Sequence, residues 1–123
     1  MSIQLDEIDA NKKAWGLLSK AHYENYKKRL TKDYNILNDT IVHELGDIQG
    51  KKILHLQCNT GAYSISLARM GGIVTGVDLV PENIIYAEKL ANDFKIQNIK
   101  FIQSDIMDFI GKDEINYDIV FTT

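Results

Sequence analysis

The chain has 123 residues, of which 45% are hydrophobic and 25% are charged, and its formal net charge at pH 7 is −3. This length supports one domain with one core, and the mixed charges give no long-range attraction toward nucleic acid or anionic lipid. No stretch approaches the roughly 18 apolar residues of a membrane span, the N-terminus lacks a secretory signal pattern, and a lone Cys58 suggests a reducing, cytoplasmic setting.

Helical periodicity occupies the N-terminal part of the chain. Apolar side chains recur every three or four residues over residues 10–46, with a break at residues 31–33, which predicts two helices. Asp33 is placed to cap the second helix, and Gly46 stands where a helix C-terminus favours glycine. The predicted inward stripe of the first helix comprises Trp15, Leu18, His22, Tyr26 and Leu30.

From residue 50 onward, strands and helices alternate. Pro81 suits the first position of a helix, and Gly71 follows the end of another. This alternation favours parallel strands with right-handed crossovers in an open α/β sheet of strand order 3-2-1-4. Ligands of such sheets bind outside the carboxyl ends of the strands, here between strands 1 and 4. The predicted strands are Lys52–Leu56, Ile73–Leu79, Ile99–Gln103 and a fourth from Tyr117, and the helices are Ala62–Met70 and one from Pro81.

Three polar positions fall at the carboxyl ends of successive strands. The turn after strand 1 ends at Gly61, and a glycine there lets backbone N–H groups approach a ligand closely. Asp78 ends strand 2, 17 residues after Gly61, at the spacing of a carboxylate that accepts ribose hydroxyls. Asp105 follows strand 3, where a carboxylate can accept a hydrogen bond from an exocyclic amine. Each position also has a plain interpretation as a turn, a helix cap or a solvated loop, so only their combination predicts a nucleoside site.

These segments resemble the motifs of class I S-adenosylmethionine-dependent methyltransferases. ILHLQCNTGAYSISLAR resembles motif I, VTGVDL with PENIIYAEKLA resembles motif II, QSDI resembles motif III, and YDIVF resembles the start of motif IV. The resemblance covers residues 50–123 and implies a Rossmann-like fold truncated after strand 4. The preceding helices are similar to those of a bacterial small-molecule branch. We therefore expect an N-terminal helical segment, residues 1–49, that packs on or caps the cofactor site of a partial domain, residues 50–123.

The same resemblance implies a cofactor and a site. The cofactor is S-adenosylmethionine, which leaves as S-adenosylhomocysteine, and the methyl acceptor is a small molecule. No catalytic residue is assigned, and no metal-ligand spacing appears in the sequence. The residues that the resemblance places near the methionine part are His55, Gln57, Cys58, Asn59 and Gly61. It places Asp78 at the ribose diol, and it places Leu79, Asp105 and Ile106 around the adenine.

The chain departs from the family pattern within motif I. His55 stands where the family usually has an acidic residue, so it cannot supply a negative charge to the methionine ammonium. Gln57 and Asn59 stand where the family has glycines. Asparagine tolerates left-handed backbone angles, whereas Gln57 needs ordinary angles or a small strain. Cys58 is interpreted as a turn residue because no base is placed to make it a nucleophile.

Three functions remain open on the sequence alone. The first is a transferase fragment with most of its cofactor pocket, and the second is a non-catalytic nucleoside-binding module that assembles with a partner chain. An NAD(P)-linked oxidoreductase is disfavoured, because its G-x-G-x-x-G motif is replaced by Gln57, Asn59 and Ala62.

The last residues of the chain, at the end of strand 4, indicate which binding partners to expect. The residues after Phe121 lack the Asn/Asp-Pro-Pro-aromatic motif of enzymes that methylate exocyclic amines of DNA bases, which argues against nucleic acid. An apolar strand 4 at the edge of the sheet would leave backbone groups unpaired. We therefore expect either a homodimer through that edge or a fragment of a longer chain.

Overall fold

A computed structural model of the chain describes residues 2–112 and 116–122, while Met1, residues 113–115 and Thr123, the predicted end of strand 4, lie outside the description. The helices are α1 Ser2–Lys32, α2 Asp39–Leu45, α3 Ala62–Arg69, α4 Pro81–Asp93 and α5 Ile106–Lys112. The strands are β1 Lys52–Leu56, β2 Ile73–Asp78, β3 Ile99–Gln103 and β4 Ile119–Thr122. Within the described ranges, no helix combines the length and the apolar character needed to cross a membrane.

The four strands form one parallel sheet of order β3-β2-β1-β4, which confirms the predicted order 3-2-1-4. Leu54 of β1 pairs with Thr75 of β2 on one side and with Val120 of β4 on the other. Because all strands run the same way, the loops after β1, β2 and β3 emerge at one edge of the sheet. The fold therefore gathers the three predicted polar positions at that edge.

The buried core lies between the sheet and the helices α1, α3 and α4. One cluster joins Tyr23 and Leu30 of α1 to Ile65 of α3 and Leu90 of α4. A second cluster joins Ile53 of β1 to residues of α3, of β2 and of the loops around α2. Helix α1 is thus attached to the domain through the same helices that follow β1 and β2.

Helix α1 differs from its prediction in both length and buried face. It begins at Ser2 rather than near residue 10. Trp15 and Leu18, which were predicted to face inward, are 46% and 45% exposed, whereas Ser19 and Tyr23 are buried. The physical reason is that the hydroxyls of Ser19 and Tyr23 hydrogen-bond to side chains of α4, and apolar periodicity does not register such polar packing.

The second helix also begins later than predicted. Its N-cap is Asn38, whose side-chain oxygen accepts a hydrogen bond from the Ile41 N–H at 2.9 Å, so the prediction of Asp33 as the cap is wrong. Gly46 follows the helix with φ +62° and ψ −143°, a backbone conformation that glycine adopts more readily than other residues. Asparagine and aspartate are nearly equivalent caps, and local sequence does not distinguish between them.

Arg69 fixes the chain that follows α1. Its Nη1 donates hydrogen bonds to the carbonyl oxygens of Leu30 and Tyr34, each at 3.0 Å. Its guanidinium also lies 4.7 Å from the ring centroid of Phe94, within the range of a cation–π contact. Because Arg69 ends α3, these contacts hold the C-terminal end of α1 against the domain.

Candidate functional site

A cavity of about 640 Å³ opens at the carboxyl ends of β1, β2 and β3. This volume is within the range of small-molecule sites. Of the nine residues predicted for the site, seven line its wall: Gln57, Cys58, Asn59, Asp78, Leu79, Asp105 and Ile106. The other two, His55 and Gly61, are not among the lining residues.

The turn after β1 has the positive φ angles of a glycine-rich turn, although only one of the three residues with such angles is a glycine. Gln57 and Asn59 have φ values of +55° and +57°, and Gly61 has φ +82°. Of the two conformations considered for Gln57, the structure adopts the strained one. A left-handed conformation costs a non-glycine residue about 1–2 kcal/mol. The Cys58 N–H donates to the Val77 carbonyl oxygen at 3.0 Å and thereby ties this turn to β2.

Asp78 connects three parts of the site. Its Oδ2 accepts a hydrogen bond from the Asn59 N–H at 2.9 Å, and its Oδ1 accepts from the Val80 N–H at 2.9 Å and from Asn83 Nδ2 at 3.4 Å. The side chain is almost buried but borders the cavity. An ionised carboxylate offers about four acceptor positions, so these three donors leave capacity for a ligand hydroxyl.

Asp105 lies on the wall of the same cavity and also caps α5. Its Oδ1 accepts hydrogen bonds from the N–H groups of Met107 at 2.8 Å and Asp108 at 3.3 Å. This helix was not predicted, so Asp105 is a capping residue as well as a cavity residue. Leu79 and Ile106 place apolar side chains beside the two carboxylates.

His55 lies behind the cavity wall rather than on it, which corrects its predicted place near the methionine. The side chain is fully buried, its Nδ1 lies 2.5 Å from Ser64 Oγ, and its ring packs against Phe121 with 5.0 Å between centroids. Burial lowers the pKa of His55 to about 4, although the Asp78 charge acts in the opposite direction. The imidazole is therefore neutral at pH 7.

Gly61 has a packing role that its predicted contact with a ligand did not include. A Cβ at this position would lie 2.8 Å from Phe101 Cζ and 3.0 Å from Ala87 Cβ. Both distances are too short for ordinary contact, so β3 and α4 can approach the turn only because residue 61 is a glycine. A side chain at this position would point into the core, so the glycine makes room for packing and not for a ligand.

Thr60 is a cavity residue that the sequence analysis missed. It lines the wall, its side chain is fully buried, and its Oγ1 has no hydrogen-bond partner among the residues that the structure describes. Leaving a buried hydroxyl unpaired costs about 1–3 kcal/mol, so a ligand atom that pairs with it would recover this energy. The only signal in the sequence was its place in the motif I turn.

Cys58 does not have the properties of a nucleophile. It borders the cavity but is buried, and burial raises the pKa of its thiol far above the usual range, with a further contribution from the Asp78 charge. The thiol is therefore protonated at neutral pH, whereas a nucleophilic cysteine requires the thiolate.

One wall of the cavity is aromatic and comes largely from α1. Trp15 and Tyr26 of α1 and Tyr63 of α3 all line it. The rings of Tyr26 and Tyr63 meet edge to face with 6.2 Å between centroids, and the Arg29 guanidinium lies 5.3 Å from the Tyr26 ring centroid. Tyr23 of α1 is absent from this wall, and its hydroxyl donates to Asp93 instead.

Known proteins are similar to the part of the chain that forms the sheet and its cavity. A family model described as a methyltransferase domain matches residues 48–123. The chain is 35% identical over 72 residues to a ubiquinone biosynthesis O-methyltransferase of Actinobacillus pleuropneumoniae, which covers 58% of this chain and 30% of that protein. A solved structure of a SAM-dependent methyltransferase from Aquifex aeolicus shares the fold with a TM-score of 0.57 at 22% identity, covering 68% of this chain and 46% of that one.

A further relative bears on the predicted absence of a nucleic-acid partner. The chain is 33% identical over 63 residues to the 23S rRNA (uracil(1939)-C(5))-methyltransferase RlmD of Shewanella sediminis, covering 51% of this chain and 14% of that protein. The similarity therefore does not separate small-molecule enzymes from an RNA-modifying one. The chain spans less than a third of the length of either curated relative.

Proposed function

Since this chain belongs to the class I S-adenosylmethionine-dependent methyltransferases, whose domain model matches residues 48–123, we propose that its cavity binds S-adenosylmethionine. The chain then forms the cofactor-binding part of a transferase. One observation carries the proposal: the motif I turn, the carboxylate that ends β2 and the carboxylate that follows β3 border a single cavity. A nucleoside with a polar tail presents the complementary groups, namely a diol, an exocyclic amine and a charged amino acid.

The side chains of the cavity suit each part of this cofactor. Asp78 has capacity to accept from the ribose hydroxyls, and Asp105 to accept from the adenine amine. Leu79 and Ile106 offer apolar surface to the adenine ring. The Thr60 hydroxyl, for which the described residues offer no hydrogen-bond partner, and the turn that carries it lie at the part of the wall that we assign to the methionine.

The chemistry requires alignment more than acid–base catalysis. When bound, the cofactor supplies a methyl group that its sulfonium already activates. The residues of this chain hold the nucleoside in one orientation and exclude water from one side of the cavity. The aromatic faces of Trp15, Tyr26 and Tyr63 provide a wall that favours a cation. No general base is assigned.

The proposal includes roles for the two parts of the chain. Residues 1–49 form the helical segment that caps the site, which is supported by the two α1 side chains on its wall. Residues 50–123 form the cofactor domain. The acceptor is a small molecule, as the name of the ubiquinone biosynthesis relative indicates for that protein. A cytoplasmic location and a homodimer through the β4 edge stay predictions.

Calorimetric titration of the 123-residue chain with S-adenosylhomocysteine and with NAD tests the cofactor assignment. We expect saturable binding of S-adenosylhomocysteine and no binding of NAD; the reverse result would overturn it. Asp105→Asn keeps a helix cap but loses the charge that meets the amine, so it should weaken binding about tenfold. Asp108→Asn makes the same change of charge outside the cavity wall and should leave the affinity unchanged.

A further inference from the structure

A buried chain of hydrogen bonds runs from helix α1 to the carboxylate at the end of β2. Ser19 Oγ donates to Asn83 Oδ1 at 2.7 Å, and Asn83 Nδ2 donates to Asp78 Oδ1 at 3.4 Å. The side chains of Ser19, Asn83 and Asp78 are 0%, 5% and 8% exposed. Helix α1, strand β2 and helix α4 thus meet in one polar connection.

This connection lies in the contact between α1 and α4, on the same face of α4 as buried alanines. Asn83 is at the same four-residue spacing as Ala87 and Ala91, both of which are buried. Burying an amide and a hydroxyl there costs free energy that apolar residues would not. The hydrogen bonds offset this cost, and they also impose a geometry that apolar packing would not impose.

Asp78 and Ser19 together fix which way the Asn83 amide points. The carboxylate of Asp78 only accepts, so the NH2 group faces it, and the amide oxygen on the other side accepts from the Ser19 hydroxyl. If the amide were reversed, its oxygen would face the carboxylate and repel it. One of the three donors that hold Asp78 is therefore itself held by a side chain of α1 that does not line the cavity.

We infer that Ser19 is a positioning residue for the nucleoside site, which acts through Asn83 to orient Asp78 toward a ribose diol. This inference rests on the proposed function, because it needs Asp78 to accept from the ligand. It makes the docking of α1 and the binding of the ribose energetically coupled. Coupling is reciprocal, so a ligand that contacts Asp78 through its diol must in turn stabilise α1 against α4.

Two nucleosides that differ only in the diol separate positioning from general stability. In the 123-residue chain, Ser19→Ala should weaken the binding of adenosine about five- to tenfold and change the binding of 2′,3′-dideoxyadenosine less than twofold. An equal loss for both nucleosides, or no loss for adenosine, would overturn the inference. If the unmodified chain also fails to bind S-adenosylhomocysteine, the proposed function fails as well, which is a distinguishable result.

Two controls keep the experiment decisive. Ser66→Ala removes an equally buried serine hydroxyl, which accepts from the Ile36 N–H, and should leave adenosine binding unchanged. In an Asp78→Asn background, Ser19→Ala should have no further effect on adenosine binding, because both changes act on one interaction. Hydrogen exchange of the unmodified chain needs no variant: adenosine, but not dideoxyadenosine, should slow exchange of the α1 amides around Ser19.

Discussion

The backbone N–H of Asn59 donates a hydrogen bond to Asp78 Oδ2 across 2.9 Å, and this contact joins the turn after β1 to the end of β2. Asn59 has a positive φ of +57°, so this contact is made from a left-handed position of the turn. The same carboxylate holds the start of α4 through the Val80 N–H. The residue proposed to bind the ribose is therefore also a structural centre of the site.

Asp78→Asn should lower both affinity and stability. The change replaces one carboxylate oxygen by an NH2 group that cannot accept from a donor, and hydrogen bonds to charged groups contribute about 1.5–3 kcal/mol. We expect S-adenosylhomocysteine to bind more than tenfold more weakly and the free energy of unfolding to fall by about 2 kcal/mol. Calorimetry and urea unfolding measure the two effects. Glu88→Gln, an exposed change of the same charge on α4, should alter neither.

Thr60→Val should change stability and affinity in opposite directions. Valine has nearly the same shape but lacks the hydroxyl that is unpaired among the described residues. The free energy of unfolding without ligand should rise by about 1 kcal/mol, because an unpaired buried group is removed. Binding of S-adenosylhomocysteine should weaken about fivefold. Thr60→Ser keeps the hydroxyl and should bind within twofold of the unmodified chain; equal affinity of the valine variant would refute a ligand contact.

The burial of His55 makes stability depend on pH. Its pKa is about 4 in the folded chain and about 6.5 in the unfolded chain. Between these values the unfolded state binds more protons, so the free energy of unfolding falls as pH decreases from 6.5 to 4, by about 3 kcal/mol in total. Above pH 6.5 this histidine contributes no slope.

Urea unfolding of the unmodified chain and of His55→Gln at pH 7.5, 6 and 5 checks this dependence. The difference between the two proteins should shrink or reverse as the pH falls, because only the unmodified chain loses this contribution. His43→Gln, an exposed histidine on α2, serves as the control and should keep a constant difference. A pH-independent difference for His55→Gln would contradict a buried, neutral imidazole.

Gln57 should tolerate glycine better than alanine. Both substitutions remove the side chain beyond Cβ, but only glycine removes the Cβ that disfavours φ +55°. The free energy of unfolding of Gln57→Gly should therefore exceed that of Gln57→Ala by about 1 kcal/mol. Thermal or urea unfolding of the pair measures the difference. Equal stabilities would mean that the turn is not strained at this position.

The sheet was predictable because its strands are short and separated by clear turn residues. The span of β1 and that of β3 agree with the prediction, and the order of all four strands follows from their alternation with helices. The placement of Asp78 and Asp105 on one cavity follows from the same topology. The start of β4 was predicted less accurately, because the strand begins at Ile119 rather than at Tyr117.

The polar contacts were not predictable to the same degree. The buried face of α1 is set by Ser19 and Tyr23, whose partners are 64 and 70 residues away in the sequence. Helix α5 is short and follows Asp105, which the sequence presents equally well as a loop residue. Likewise, nothing local indicates that a Cβ at Gly61 would collide with Phe101, because that contact exists only once β3 and α4 have packed.

The aromatic wall of the cavity has a practical consequence for protein production. Trp15 and Tyr26 precede residue 48, where the match to the family model begins. A recombinant fragment trimmed to that match would lose both rings, together with Ser19. Compounds would then be screened against a cavity that lacks one of its walls. Weak hits obtained on such a piece would reflect where it was cut rather than the chemistry of the site.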